Sequence, residues 1–331
     1  MDFSVIVPAY NVAAIIERAI RSAAAQTLPP LEILVIDDCS VDDTVEVVKA
    51  LRQEIPSLCL LSTPANSGPS AARNVGLRAA KADWIALLDS DDAWKPGRLK
   101  RLSEVARATS ADFVADNLVM WDPIADAQVT PCYFELPAAH KQITLLDMFK
   151  ADDNFNFSKK SYALIKPVFR REFLATHHIE YNVDLKVGED FILYAESLFN
   201  GAKIILIDES YYIYSMRSGP SGRSPHSRAV YDLGKLSGES ARLEQKYSGR
   251  VDSKLKIAMA NYRRTMALLH QSNIARSYKW RGQYVAYVTY LAARPELTRR
   301  LVLRTAMRQR VGPKLLRLAQ PMKDLFQKGM G

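Results

Sequence analysis

The residues best suited to chemistry follow a short apolar run, Trp84 to Leu88, where Asp89, Ser90, Asp91 and Asp92 bring three carboxylates close together. Such a cluster repels itself unless a cation or several hydrogen-bond donors compensate. In extended backbone Asp89 and Asp91 share a face. Paired oxygens of that kind suit Mg²⁺ or Mn²⁺, which leave coordination positions for phosphate oxygens. With 22 Asp in the chain, a D-x-D triplet arises easily by chance, so its place after a buried strand carries the weight. Three further polar clusters end apolar runs: Pro8-Ala9-Tyr10-Asn11, Asp37-Asp38-Cys39-Ser40 and Asn66-Ser67-Gly68-Pro69-Ser70. Asp, Asn, Ser and Gly also mark ordinary turns, so each cluster by itself leaves both readings open. Farther on, Gly188-Glu189-Asp190-Phe191 puts two acids at a helix start. They either complement the helix dipole or supply a general base.

Strands and helices in alternation must position these clusters. Phe3 to Val7, Glu32 to Asp37, Leu58 to Ser62 and Trp84 to Leu88 read as strands, and Ile15 to Ala23, Thr44 to Arg52 and Ser70 to Ala80 as amphipathic helices, with Ser70 as an N-cap. The expected fold class is α/β, a Rossmann-like, mainly parallel sheet covered by helices, in which ligands bind beyond the carboxyl ends of the strands. Asp112 to Met120 reads as a fifth strand. The stretch holding Pro123, Pro131 and Pro137 reads as loop and insertion, and helices and short strands resume from Thr144 to about Tyr214. Beyond residue 226 the pattern is helical, and the stripe Trp280, Tyr284, Tyr287, Val288 and Leu291 reads as packing.

The chain has 331 residues, 48% of them hydrophobic, enough to bury a core. Cys39, Cys59 and Cys132 lack C-x-x-C spacing, which argues against a disulfide framework or zinc site. Met1-Asp2-Phe3 opens without a basic leader, and no apolar run reaches spanning length. The expected location is therefore cytoplasmic. No G-x-G-x-x-G follows the first strand, which disfavours a dehydrogenase-type dinucleotide fold. His177-His178-x-Glu180 does not have a metal-ligand spacing.

Four blocks together resemble glycosyltransferase family 2: Ser4 to Asn11; Glu32 to Ser40 with Asp42 and Thr44; Asn66 to Gly76; and Leu87 to Trp94. Gly188 to Phe191 continues the resemblance as an acidic catalytic motif, and Tyr214 to Ser221, with Arg217, resembles the loop that follows it. The resemblance covers about residues 1 to 221 and implies a GT-A fold. It divides the chain into a catalytic domain, 1–225 (nucleotide-sugar side 1–120, acceptor side 121–225), and a helical basic extension, 226–331. Pro8 and Tyr10 would line the nucleoside pocket, Asp38 would accept from the base, and Arg73 would orient Asp38. Asn11 and Ser90 fall on the donor side, as does Arg217. Asp89 would face ribose or sugar and stand beside Asp91, the metal ligand, while Asp92 would support them from behind. Asp190 would be the base that deprotonates the acceptor, with Glu189 in reserve. Cys39 stands where the family usually has Gly, and the loop at Arg217 lacks the family's frequent His.

The implied activity is inverting, Mn²⁺- or Mg²⁺-dependent transfer from a nucleotide-sugar, a UDP-sugar by expectation, to a saccharide acceptor. Residues 251–331 hold 17 Lys and Arg against 3 Asp and Glu. From Arg299 onward the cations interleave with apolar residues, a pattern suited either to an anionic bilayer surface or to packing on the chain's own domain. The first reading suits a lipid-linked acceptor in surface or exopolysaccharide assembly at the inner face of the membrane. Nucleic acid is not an expected partner, because no recognition motif accompanies the charge. The alternatives are a non-catalytic nucleotide-sugar or polyanion-binding module, and a sugar nucleotidyltransferase, whose glycine-rich activating loop is not found.

Overall fold

Along the first strand Val5 and Val7 face one side and Ile6 the other, and all three are fully buried, so this strand must be covered on both faces. It is β1 (Phe3–Ala9), near the middle of a ten-stranded sheet. The structure, a computed structural model, describes residues 1–130, 132–152, 161–216 and 232–308. β2 (Glu32–Asp37), β3 (Leu58–Ser62) and β4 (Trp84–Leu87) extend β1 in parallel, in the order β3-β2-β1-β4. The crossovers between them are α1 (Ile16–Ala24), α2 (Thr44–Glu54) and α3 (Pro69–Ala79).

β9 (Val168–Arg170) pairs antiparallel with both β4 and β6 (Phe113–Asp122), and β10 (Ile204–Ser215) runs parallel to β6. β5 (Ala93–Trp94) and β8 (His140–Ile143) add antiparallel to β10, and β7 (Ala127–Thr130) to β6. Part of the stretch expected as loop is therefore a β6–β7 hairpin followed by β8. Antiparallel pairing needs only short connections, and those strands are too short to show a period.

One face of the sheet buries Val5 and Val7 with Ile16, Ile20, Val48 and Leu51, and with Leu102 of α4 (Arg98–Thr109). The other buries Ile6 with Ala72 of α3, Phe149 of α5 (Leu145–Asp152), Phe191 of α7 (Glu189–Phe199) and Tyr262 of α9 (Ser253–Trp280). Phe191 stacks on Tyr262 at 4.6 Å, and Phe149 meets both rings edge-on. α6 (Arg171–His177) follows β9, and α8 (Gly234–Lys246) adds Leu236 and Leu243 to this core, so the C-terminal helices share it. The boundary expected at 225 lies outside the described residues.

Two expectations fail. Gly68, at φ +89°, occupies the N-cap of α3 and Pro69 follows inside the helix, where its missing N–H costs nothing. Ser70 therefore sits within the first turn, its hydroxyl buried and unpartnered among the described residues. The stripe on α10 (Tyr284–Ala292) is not core: Tyr284 is 62% and Val288 63% exposed, and Tyr287 and Leu291 are only half-buried. A helical period identifies a face but not whether anything covers it.

Candidate active site

Arg73, one turn into α3, is buried and reaches two acids at once. It donates to Asp89 Oδ1 at 2.8 Å and to Glu189 Oε1 at 2.9 Å. Lys166, two residues before β9 and 5% exposed, donates to Asp190 Oδ2 at 2.6 Å and lies 3.1 Å from Asp89 Oδ2. The Tyr181 hydroxyl donates to Asp190 Oδ1 at 3.0 Å. The end of β4 and the start of α7 are therefore joined by one buried network of Asp89, Arg73, Glu189, Lys166 and Asp190. Gly188, left-handed at φ +76°, caps α7 and puts both acids in its first turn, where the helix dipole favours them.

Burial opposes charge on Asp89, but the Lys166 and Arg73 charges overcome it and hold the carboxyl well below the usual range. For Lys166, burial is likewise outweighed by Asp190 and Asp89, and its ammonium is held charged well above its ordinary pKa. Asp92 goes the other way. Burial, then the Asp91 and Asp89 charges, push its pKa well up, although it accepts from Tyr212 Oη at 2.8 Å and from the Ser215 N–H at 2.8 Å. The repulsion expected among three carboxylates is thus relieved by two protein cations at Asp89 and by hydrogen bonds from Tyr212 and the Ser215 N–H to Asp92.

Asp89 does not have the position expected of a metal ligand, since its two oxygens face Arg73 and Lys166. Asp91 is half-buried beside it, and Arg18 donates to its carbonyl at 2.6 Å. Among the described residues no group of three or more His, Cys, Asp or Glu is arranged to hold a metal, so a closed protein cage does not fit. Asp91 does fit the looser mode in which a hard divalent ion takes one or two carboxylates, waters and substrate phosphates.

Asp38 is also differently engaged than expected. Its oxygens accept from Thr63 Oγ1 at 2.7 Å and from the backbone N–H groups of Ser67 and Gly68 at 3.0 and 2.6 Å. It fastens the loop ahead of α3, and Arg73 turns to Asp89 and Glu189, because a guanidinium buried there needs charged partners. Asn11 ties the first two strand ends together, accepting from the Val41 N–H and donating its own N–H to Ser40 Oγ. Pro8 and Ser90 are half-buried at the same strand ends, and the Tyr10 ring is 47% exposed. Arg217 lies outside the described residues.

Lys166 and Tyr181 were missed by sequence reasoning. Lys166 did carry a signal: it stands alone in Ala163-Leu164-Ile165-Lys166-Pro167-Val168-Phe169, and a charge inside a buried run must have a partner. Tyr181 carries none.

Residues 4–137 match the family described as Glycosyl transferase family 2. Among curated relatives, the succinoglycan biosynthesis proteins ExoO and ExoU of Rhizobium meliloti (strain 1021) are 38% and 34% identical, over 67% and 65% of this chain and 63% and 62% of theirs. The chain therefore spans less than two thirds of the length of these relatives. In fold it is similar to S. aureus TarS 1-349 in complex with UDP-GlcNAc (TM-score 0.57, 20% identity, 93% of this chain and 92% of that one). It is similar too to a mannosyltransferase from Pyrobaculum calidifontis in complex with GDP-Man and Mn²⁺ (TM-score 0.56, 17% identity, 96% and 82%).

Proposed function

We propose that the chain, whose residues 4–137 match glycosyltransferase family 2, is an inverting, metal-dependent enzyme that moves a sugar from a UDP-sugar to a saccharide hydroxyl. The observation that carries this reading is buried Lys166, which spans Asp89, at the end of a parallel strand, and Asp190, at the start of α7. Such a network sets a donor-side carboxylate and a prospective base in fixed relation, as in-line transfer requires.

In this reading Tyr10 stacks on the base, and Asp38 shapes the base pocket through the loop it holds. Arg73 and Asp89 face the sugar, with Pro8, Asn11 and Ser90 lining the donor side, and Arg217 is assigned to the donor by the family resemblance alone. Asp190 takes the acceptor proton through a lone pair not used by Lys166 or Tyr181, with Glu189 as its reserve. As the proton leaves, the acceptor oxygen bonds the anomeric carbon from the face opposite the diphosphate, and the C–O bond to UDP breaks. An aspartate is a weak base, so proton transfer is concerted with bond formation. A divalent ion held at Asp91 would neutralise charge building on the departing diphosphate.

The names of the relatives support a place in surface-polysaccharide synthesis, and the UDP-GlcNAc and Mn²⁺ complexes of the structural neighbours support a nucleotide-sugar and a divalent ion. We extend the proposal to a lipid-linked acceptor, reached from the inner membrane face through the basic C-terminal region, and to a functional division near residue 225. No helix among the described residues is long and apolar enough to cross a membrane.

The test is a panel of nucleotide-sugars with Mn²⁺, read by thermal shift and by release of nucleoside diphosphate. Ligand at about a hundred times its Kd stabilises folded protein by about 2.7 kcal/mol, so a cognate UDP-sugar should raise Tm and be slowly hydrolysed. Neither binding nor hydrolysis across the panel would sink the reading. Pyrophosphate release from a nucleoside triphosphate would point to a nucleotidyltransferase instead.

A further inference from the structure

α10 carries no charged residue, and its outward face is Tyr284, Val285 and Val288, exposed by 62%, 83% and 63%. Its inward side is anchored by Tyr290, packed on Tyr278 at 5.6 Å, and by half-buried Leu291. The apolar face is therefore a deliberate orientation and not a helix in search of its core. Trp280 ends the preceding helix at 39% exposure, with the Arg276 guanidinium 5.9 Å from its ring. Lys279 and Arg281 flank it, both exposed, and Arg299 is exposed on α11 (Pro295–Arg308). From Ser253 to Arg308 the only acidic residue is Glu296, and it is paired with Arg264 and Arg300.

We propose that the exposed face of α10, with Trp280 and the surrounding cations, seats shallowly in an anionic lipid surface. This deepens the membrane-facing part of the proposed function and rests on it. Each component fits the bilayer boundary. Trp and Tyr favour the headgroup level, the valines reach the acyl boundary, and Lys and Arg meet anionic headgroups. The other occupants fit less well. A second copy of the same face would oppose like charges without acids to neutralise them, and a nucleic acid would use the cations but leave the valines bare.

The experiment is flotation of the full chain with vesicles of phosphatidylcholine alone, and of equal parts phosphatidylcholine and phosphatidylglycerol, across a salt series. It compares wild type, Val285→Asp/Val288→Asp, and the control Ile124→Asp, at an exposed position on the β6–β7 turn. Wild type and control should bind the anionic vesicles in a salt-sensitive way. The double variant should lose at least about tenfold in partitioning, since burying even one valine is worth that factor. Tryptophan emission should move to the blue on binding, and Trp280→Phe should abolish that shift, since the chain's other tryptophans, Trp84, Trp94 and Trp121, lie outside the C-terminal helices.

Equal partitioning of wild type and double variant would overturn the proposal, as would a blue shift that persists in Trp280→Phe or is absent from wild type. So would a wild-type dimer that the double variant breaks with no change on vesicles. Hydrolysis of a soluble donor is measured alongside. Its retention in the double variant isolates a lipid defect, and its absence in all proteins is a failure of the enzymatic reading instead.

Discussion

At the scale of single residues, Lys166 holds the site together, because buried Asp190 and partly buried Asp89 share it. Lys166→Met should cost about 3–5 kcal/mol, the usual result of removing one partner of a buried pair, whereas Lys166→Arg should keep much of that stability. Urea unfolding of the two variants checks the difference, and equal midpoints would contradict it. Asp89 gives the pH dependence. Its folded pKa lies below its unfolded value because Lys166 and Arg73 outweigh the burial that opposes ionisation. The stability it contributes is therefore present in full above the ordinary Asp pKa of about 3.9, and it is lost as pH falls from there through the folded value. Unfolding free energy should fall less steeply toward acid in Asp89→Asn than in wild type. Cys39 stands at φ +63°, a left-handed backbone that costs a non-glycine residue about 1–2 kcal/mol. Cys39→Gly should raise stability by up to about 1 kcal/mol, after the added entropy of an unfolded glycine is counted. A lowered unfolding midpoint would show that the Sγ contact with the Thr63 carbonyl is worth more than the strain.

At the scale of elements, legibility followed burial. β1 and β2 were plain because runs such as Glu32–Asp37 are buried throughout, and their polar ends marked the crevice. β5 and β9, at two and three residues, are too short to show a period, so the antiparallel half of the sheet stayed hidden, and Lys166 with it. The pairing of Asp89 with Lys166 could not be read from spacing, since tertiary packing alone brings residues so distant in the chain together. The motif ending in Gly76 shows a structural use of a family residue. A Cβ there would stand 2.5 Å from Ile6 Cγ2, so α3 can lie this close to β1 only with glycine. Gly76→Ala should cost about 1–3 kcal/mol, as overpacking does, and should shift α3 with Arg73 on it. Thermal unfolding together with donor affinity measures both effects, and an unchanged protein would show that α3 slides freely over the sheet.

At the scale of the whole molecule, the polar ends of β1, β2 and β4 open on one side of the sheet, where the proposed function seats a nucleotide-sugar, while α7 and the C-terminal helices pack into the same core. On the proposed reading this arrangement separates binding from chemistry: it assigns donor recognition to the ends of β1, β2 and β4, and proton abstraction to the first turn of α7. The most direct test of that division is Asp190→Asn, assayed in parallel for donor-induced thermal stabilisation with Mn²⁺ and for sugar transfer. Retained stabilisation with transfer reduced about 10²- to 10⁴-fold, the usual worth of a general base, is the expected result. Transfer at the wild-type rate would contradict it.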